Sequence, residues 1–163
     1  MRFRGLLYRA LNPIWARQPL SGEGARRHGG RFNPRGVPAL YASLSPLTAV
    51  REANQAGSFQ PVTLVCYRAD LDPVLDGRDS AAIADRGATV ADLADDGWRL
   101  RMGATGEAPT QALARRLIAG GFAGLLVRSF APGATAADLN LVVWRWGDPP
   151  AGLTVVDDEG RLL

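Results

Sequence analysis

The stretch Gly29-Gly30-Arg31-Phe32-Asn33-Pro34, followed by Ala39-Leu40-Tyr41-Ala42-Ser43 and then by Glu52, decides how this chain reads. A guanidinium on a glycine-framed turn is a rigid fork for a phosphate. Tyr41 offers a ring to stack on, and the carboxylate of Glu52 can stabilise a developing cation or orient a sugar hydroxyl. Side chains of these three kinds in so short a span point to a nucleotide-type ligand held separately at its phosphates, ring and ribose.

The same stretch sets the local structure around it. Ala39–Ser43 reads as a short strand, and Ser45-Pro46 opens a helix with a cap residue followed by proline at the first helical position. That helix is expected to carry Glu52, to run to about Ala56 and to stop at Gly57. Upstream, Gln18 to Gly36 is polar and glycine-rich yet lies between apolar runs. A long loop inside a domain is usually functional.

Further out, Leu6–Leu11 reads as a first strand ended by Asn12-Pro13. Val62 to Leu71 is a β-rich, mostly apolar run, expected to be a central strand buried on both faces. Short helix signals at Ser80–Asp85 and Thr89–Asp95 are separated by glycine and bounded by Trp98. Thr110–Ala119 is amphipathic, with Leu113, Leu117 and Ile118 on one face and Gly120-Gly121 closing it. Phe122–Val127 and Leu139–Trp146 read as strands joined by the loop Arg128–Asp138. Leu153–Val156 and Arg161–Leu163 are expected to form an edge hairpin around Asp157-Asp158-Glu159-Gly160. No regular βαβ repeat and no Gly-x-Gly-x-x-Gly turn is present, which argues against a Rossmann domain. The expected fold class is α+β: a single compact domain over residues 1–163, with a mixed, mainly antiparallel sheet flanked by helices.

Composition narrows the chemistry. Cys66 is the one cysteine in 163 residues, which excludes an internal disulfide and a cysteine-based metal site and fits a reducing compartment. His28 is the one histidine, so a multi-histidine metal cluster is excluded as well, and no metal is expected. Neither a signal peptide nor a run near the ~20 apolar residues of a membrane span is legible, so the expected location is cytoplasmic. The net charge is +3 and all 19 basic residues are arginine, but they are scattered and 16 acidic residues nearly balance them. That pattern is a weak pointer to nucleic acid.

The assembled residues resemble the RES-domain family, toxins of bacterial toxin–antitoxin pairs. The resemblance rests on Tyr8-Arg9-Ala10, on Ser21-Gly22-Glu23-Gly24-Ala25 leading to Gly29-Gly30-Arg31-Phe32-Asn33, and on the strand carrying Tyr41. It continues through Ala49-Val50-Arg51-Glu52, Val127-Arg128-Ser129 and Asn140-Leu141-Val142-Val143. The family often has tryptophan where Phe32 stands and proline where Arg128 stands. The resemblance implies an ADP-ribosyltransferase-like fold and NAD+ as the substrate whose nicotinamide–ribose bond is broken, without a metal. It implies that Glu52 stabilises the oxocarbenium-like transition state, that Arg31 clamps a phosphate and that Tyr41 stacks on the nicotinamide. Ser129 and Asn140 would supply hydrogen bonds that fix the ligand, and His28, bordering the glycine turn, is a further candidate ligand contact.

The ADP-ribosyl acceptor stays open among water, phosphate and a protein side chain. The family also implies a cognate antitoxin that blocks the cleft, Xre-like and DNA-binding itself, so that the toxin has no direct contact with DNA. A homodimer through an apolar patch is compatible with the sequence. Two other classes stand beside this reading. One is a metal-independent ribonuclease toxin with Glu52 as base, His28 as acid and Arg31 as phosphate clamp. The other is a non-catalytic nucleic-acid-binding module using the arginines around Gly22 to Gly36.

Overall fold

The structure, a computed structural model, describes residues 1–55, 58–147 and 151–162. Its strands are β1 (Phe3–Leu11), β2 (Leu40–Ser43), β3 (Thr63–Leu71), β4 (Val74–Asp76), β5 (Gly124–Arg128), β6 (Leu139–Val143) and β7 (Ala151–Val155). Its α-helices are α1 (Glu23–His28), α2 (Pro46–Ala53), α3 (Ser80–Ala84), α4 (Val90–Leu93), α5 (Trp98–Thr105) and α6 (Pro109–Ala119). Among the described residues the strands form one sheet in the order β4-β5-β6-β2-β1-β3-β7, antiparallel except for the parallel pair β4–β5. The expected α+β architecture with a mixed, mainly antiparallel sheet is what forms.

Local chemistry explains several element boundaries. Ser45 accepts a hydrogen bond from the Thr48 amide at 3.1 Å and Pro46 occupies the first turn of α2, as the Ser-Pro pair predicts. Thr89 and Asp92 form a reciprocal capping box at the start of α4. Helix α6 begins at Pro109, and the side chain of Gln111 turns back to accept from the Ala108 amide at 2.9 Å.

Burial then divides the molecule around the sheet. On one face Leu7 and Leu11 of β1, Val65, Tyr67 and Leu71 of β3, Leu126 of β5 and Leu141 and Val143 of β6 form a single cluster. On the other face Leu125, Val127 and Val142 pack with Ile83 of α3, Leu93 of α4 and Leu113 and Leu117 of α6. Strand β5 is therefore buried on both sides, with Gly124 to Val127 all buried, and so is β6 over Leu141 to Val143.

Five expectations are corrected. Strand β3 is neither central nor two-sided. It lies one strand in from the β7 edge, and burial alternates along it, with Arg68 exposed between Tyr67 and Ala69. The alternation of Arg68 and Asp70 with apolar residues is masked by Leu64 and Cys66 on the same outer face. The terminal hairpin does not form: β7 pairs with β3, and the carboxylate of Asp157 instead accepts from the amides of Arg161 and Leu162 in a turn. The segment Gln18–Gly36 contains α1, where Glu23 pairs with Arg26 and Arg27 at 2.7 Å each and is held down to a pKa of about 2 by those two side chains. Helix α5 and strand β4 fill the middle region beyond the two short helices that were legible there. Helix α2 closes at Ala53, where the Asn54 amide donates to the Arg51 carbonyl, short of the expected run to about Ala56; Ala56, Gly57 and the final residue Leu163 lie outside the described residues.

Candidate active site

Alternation along β2 sends Leu40 and Ala42 into the core, and Tyr41 and Ser43 to the opposite face. That face lines a cleft of about 620 Å³, whose walls include Arg9, Arg31, Tyr41, Glu52, Trp98, Arg99 and Asn140. The cleft thus gathers residues from β1, from the turn after α1, and from β2, α2, α5 and β6.

Glu52 stands on the last turn of α2 and is bound by neutral donors. Its Oε1 accepts from Ser129 Oγ and from Asn140 Nδ2, each at 2.5 Å, and its Oε2 accepts from Gln55 Nε2 at 2.5 Å. The neighbouring Arg51 pairs elsewhere, with Asp138 at 2.8 Å. Asp138 also accepts from the Thr48 hydroxyl, from the Thr135 amide and from the Thr135 hydroxyl, while its own carbonyl accepts from the Ser129 amide at 2.8 Å. The Thr135 amide, followed by the Thr48 hydroxyl, holds the Asp138 carboxyl down to a pKa of about 2. One aspartate therefore ties α2 to the β5–β6 loop, which sets Ser129 against Glu52. This fixes the serine loop although exposed Arg128 stands before the serine.

Arg31 is presented by a turn held by the buried side chains of Asn33, Gln111 and Trp144. Gly29 ends α1 with φ at 72°, a conformation that favours glycine. A Cβ on Gly30 would overlap the Tyr41 hydroxyl and lie 2.5 Å from Asn33 Oδ1. The Tyr41 hydroxyl donates to Asn33 Oδ1 at 2.7 Å and accepts from the Phe32 amide at 3.0 Å. Burial pushes that phenol well above its ordinary pKa, so it works here as a neutral donor. Fully buried Asn33 donates to the carbonyls of Ala25 and Val37 at 2.9 Å each, and Trp144 Nε1 donates to the Phe32 carbonyl at 2.8 Å. Gln111, also fully buried, donates from α6 to the carbonyls of Gly30 and Asn33 at 2.9 and 3.2 Å.

On this turn the Arg31 guanidinium lies 4.6 Å from the centroid of the Phe130 ring. It donates to the carbonyls of Leu93 and Asp95 at 3.1 Å each and to the carboxylate of Asp96 at 3.0 Å. Of its five N–H groups, two stay available for a ligand.

The predicted residues therefore separate. Arg31, Tyr41, Glu52 and Asn140 meet in the cleft. Ser129 is buried behind Glu52 and reaches it directly, so its contact is with the carboxylate and not with the cleft surface. His28 is not brought to the site: it is the exposed last residue of α1 and is not in the cleft wall, because the helix turns its side chain outward. Sequence reading missed Gln111, Ser43, Trp98 and Arg99. Helical periodicity signalled only that α6 has a buried face, and α5 carried no pattern of its own.

A family model described as the RES domain matches residues 6–163. Among solved structures, a chain in the crystal structure of the M. tuberculosis MbcT–MbcA toxin–antitoxin complex superposes with a TM-score of 0.68 at 26% identity, over 96% of this chain and 84% of that one. No curated protein sequence matches.

Proposed function

The chain belongs to the RES domain family, and from that membership we propose that it is the toxin of a toxin–antitoxin pair, acting by breaking the nicotinamide–ribose bond of NAD+. The observation that carries the reading is Glu52, held by Ser129 and Asn140 in the same cleft as Arg31 and Tyr41.

The chemistry follows from charge. The nicotinamide of NAD+ is cationic while attached and leaves as a neutral ring, so no general acid is needed on the leaving group. Most glycoside hydrolases use two carboxylates, whereas here one suffices to stabilise the oxocarbenium-like transition state or to hold a ribose hydroxyl. The two donors on Oε1 pre-set the direction of the Glu52 carboxylate, so little reorganisation accompanies the reaction. The free N–H groups of Arg31 suit a phosphate oxygen, and the Tyr41 ring forms part of the wall against which the nicotinamide packs. The ADP-ribosyl group passes to water, to phosphate or to a protein side chain.

A ribonuclease reading loses its acid, since His28 lies outside the cleft. A nucleic-acid-binding reading loses free charge, since Arg26 and Arg27 both pair with Glu23. The likeness to a chain of a toxin–antitoxin complex supports a cognate antitoxin; that it covers this cleft and is a DNA-binding protein of the Xre type is what the family resemblance implies. Among the described residues no helix is long and apolar enough to cross a membrane.

The test is the cellular NAD+ concentration within minutes of inducing the chain, beside Glu52→Gln at equal expression. NAD+ falls with the native chain and, with a rate lowered ~10²–10³-fold, stays near its resting level with the variant. Wild-type depletion by Glu52→Gln overturns the mechanism. Free ADP-ribose, a phosphorylated ADP-ribose or protein-bound label from tagged NAD+ identifies the acceptor.

A further inference from the structure

We propose that Ser43 is a positioning residue of this site, acting on Glu52 through the side-chain amide of Asn140. The proposal rests on the reading of Glu52 given above. Ser43 and Asn140 are directly opposed in the β2–β6 ladder, and Ser43 is 2% exposed between β6 and β1. Its Oγ donates to Asn140 Oδ1 at 2.7 Å, and Asn140 Nδ2 donates to Glu52 Oε1 at 2.5 Å. The three side chains form one line of donors running into the carboxylate.

An asparagine amide has nearly the same shape turned over, and its terminal torsion is broad and close to two-fold. Turned over, Asn140 would set its carbonyl oxygen against a Glu52 oxygen, acceptor against acceptor. The Ser43 hydroxyl gives the Oδ1 end a donor of its own, which holds the amide with its N–H groups toward Glu52 and polarises it in that direction. Without the hydroxyl, Oδ1 loses that donor, the amide is anchored at its N–H end alone and swings about its side-chain torsions, and Glu52 loses the rigidly preorganised partner that fixes its carboxylate. Ser43 touches no reacting atom in this scheme.

The experiment is steady-state NAD+ consumption by the purified full chain and its Ser43→Ala, Ser43→Thr, Ser43→Cys and Glu52→Gln variants, with melting curves for each. Ser43→Ala lowers kcat about tenfold while KM stays within about twofold, as expected for a lost hydrogen bond that acts on catalysis and not on binding. Ser43→Thr keeps the hydroxyl and recovers the rate. If Ser43→Ala does not fold, Ser43→Cys carries the test, because a thiol of similar size donates weakly and leaves kcat reduced.

A double-mutant cycle separates positioning from general damage. In an Asn140→Ala background, Ser43→Ala changes kcat by less than about twofold, because the group it acts through is gone. A native kcat in Ser43→Ala, or equal losses in both backgrounds, overturns the proposal. If in addition Glu52→Gln is inactive, the NAD+ reading stands without it. If the native chain consumes no NAD+, or Glu52→Gln consumes it at the native rate, both fall together.

Discussion

Gly30→Ala adds one methyl group at the most crowded point of the Arg31 turn. Its Cβ would overlap the Tyr41 hydroxyl, lie 2.5 Å from Asn33 Oδ1 and lie 2.9 Å from Tyr41 Cζ. Neither neighbour can move freely: the two are joined at 2.7 Å, and Asn33 makes further bonds to Ala25 and Val37. Overpacking of this kind costs about 1–3 kcal/mol, and separating the Tyr41–Asn33 pair adds about 1 kcal/mol. At about 2–4 °C per kcal/mol for a chain of this size, the melting temperature falls by roughly 5–15 °C.

The measurement is a thermal unfolding curve of Gly30→Ala beside the native chain, repeated in a Tyr41→Phe background. Removing the hydroxyl deletes the worst overlap and leaves the contact with Asn33, so the added cost of Gly30→Ala is smaller there but not zero. NAD+ consumption falls with Gly30→Ala as well, because Arg31 is attached to the displaced turn. A melting temperature within about 2 °C of native refutes the argument that this glycine is required by packing.

Gln111→Leu keeps a buried side chain of similar size but leaves the Ala108 amide without its partner and the Gly30 carbonyl with only the longer bond from the Asn33 amide; unfolding in urea shows a loss of about 1–3 kcal/mol with an unchanged slope. Arg31→Lys retains the charge but not the planar fork that spans the Leu93 and Asp95 carbonyls, so NAD+ consumption drops at least about tenfold while the far-ultraviolet circular dichroism is unaltered. The Asp138 carboxyl, depressed to a pKa of about 2 in the folded chain against an ordinary 3.8, contributes stability that is fully present above pH ~4 and is lost as pH falls from there through about 2. Comparing urea midpoints of the native chain and Asp138→Asn across that window shows the difference between them narrowing toward the acid end, whereas a constant difference contradicts the assignment.

Much of this architecture was legible in local sequence because its causes are local. Ser45-Pro46 announced α2, the short signal over Thr89–Asp95 announced α4, and the apolar spacing of Leu113 and Leu117 announced the buried face of α6. The same locality misled at β3, where Leu64 and Cys66 made a one-sided strand look two-sided. It also hid α1, whose two arginine pairs to Glu23 form only once the helix exists.

For the site, residue chemistry together with the family resemblance singled out Arg31, Tyr41 and Glu52, which line one cleft. What the sequence by itself determined was which side chains carry charge, ring and carboxylate, and which segments become strand or helix. Tertiary structure decided that most of Gly29–Pro34 is scaffold, with Asn33 and Phe32 buried to aim a single guanidinium. It decided that Ser129 supports the carboxylate instead of facing the cleft, and that His28 points away. Those assignments depend on contacts between positions 77 and 88 residues apart, Ser129 and Asn140 with Glu52. Such contacts are fixed by sheet register and by the docking of α2 on β1, which arise only when the whole core closes.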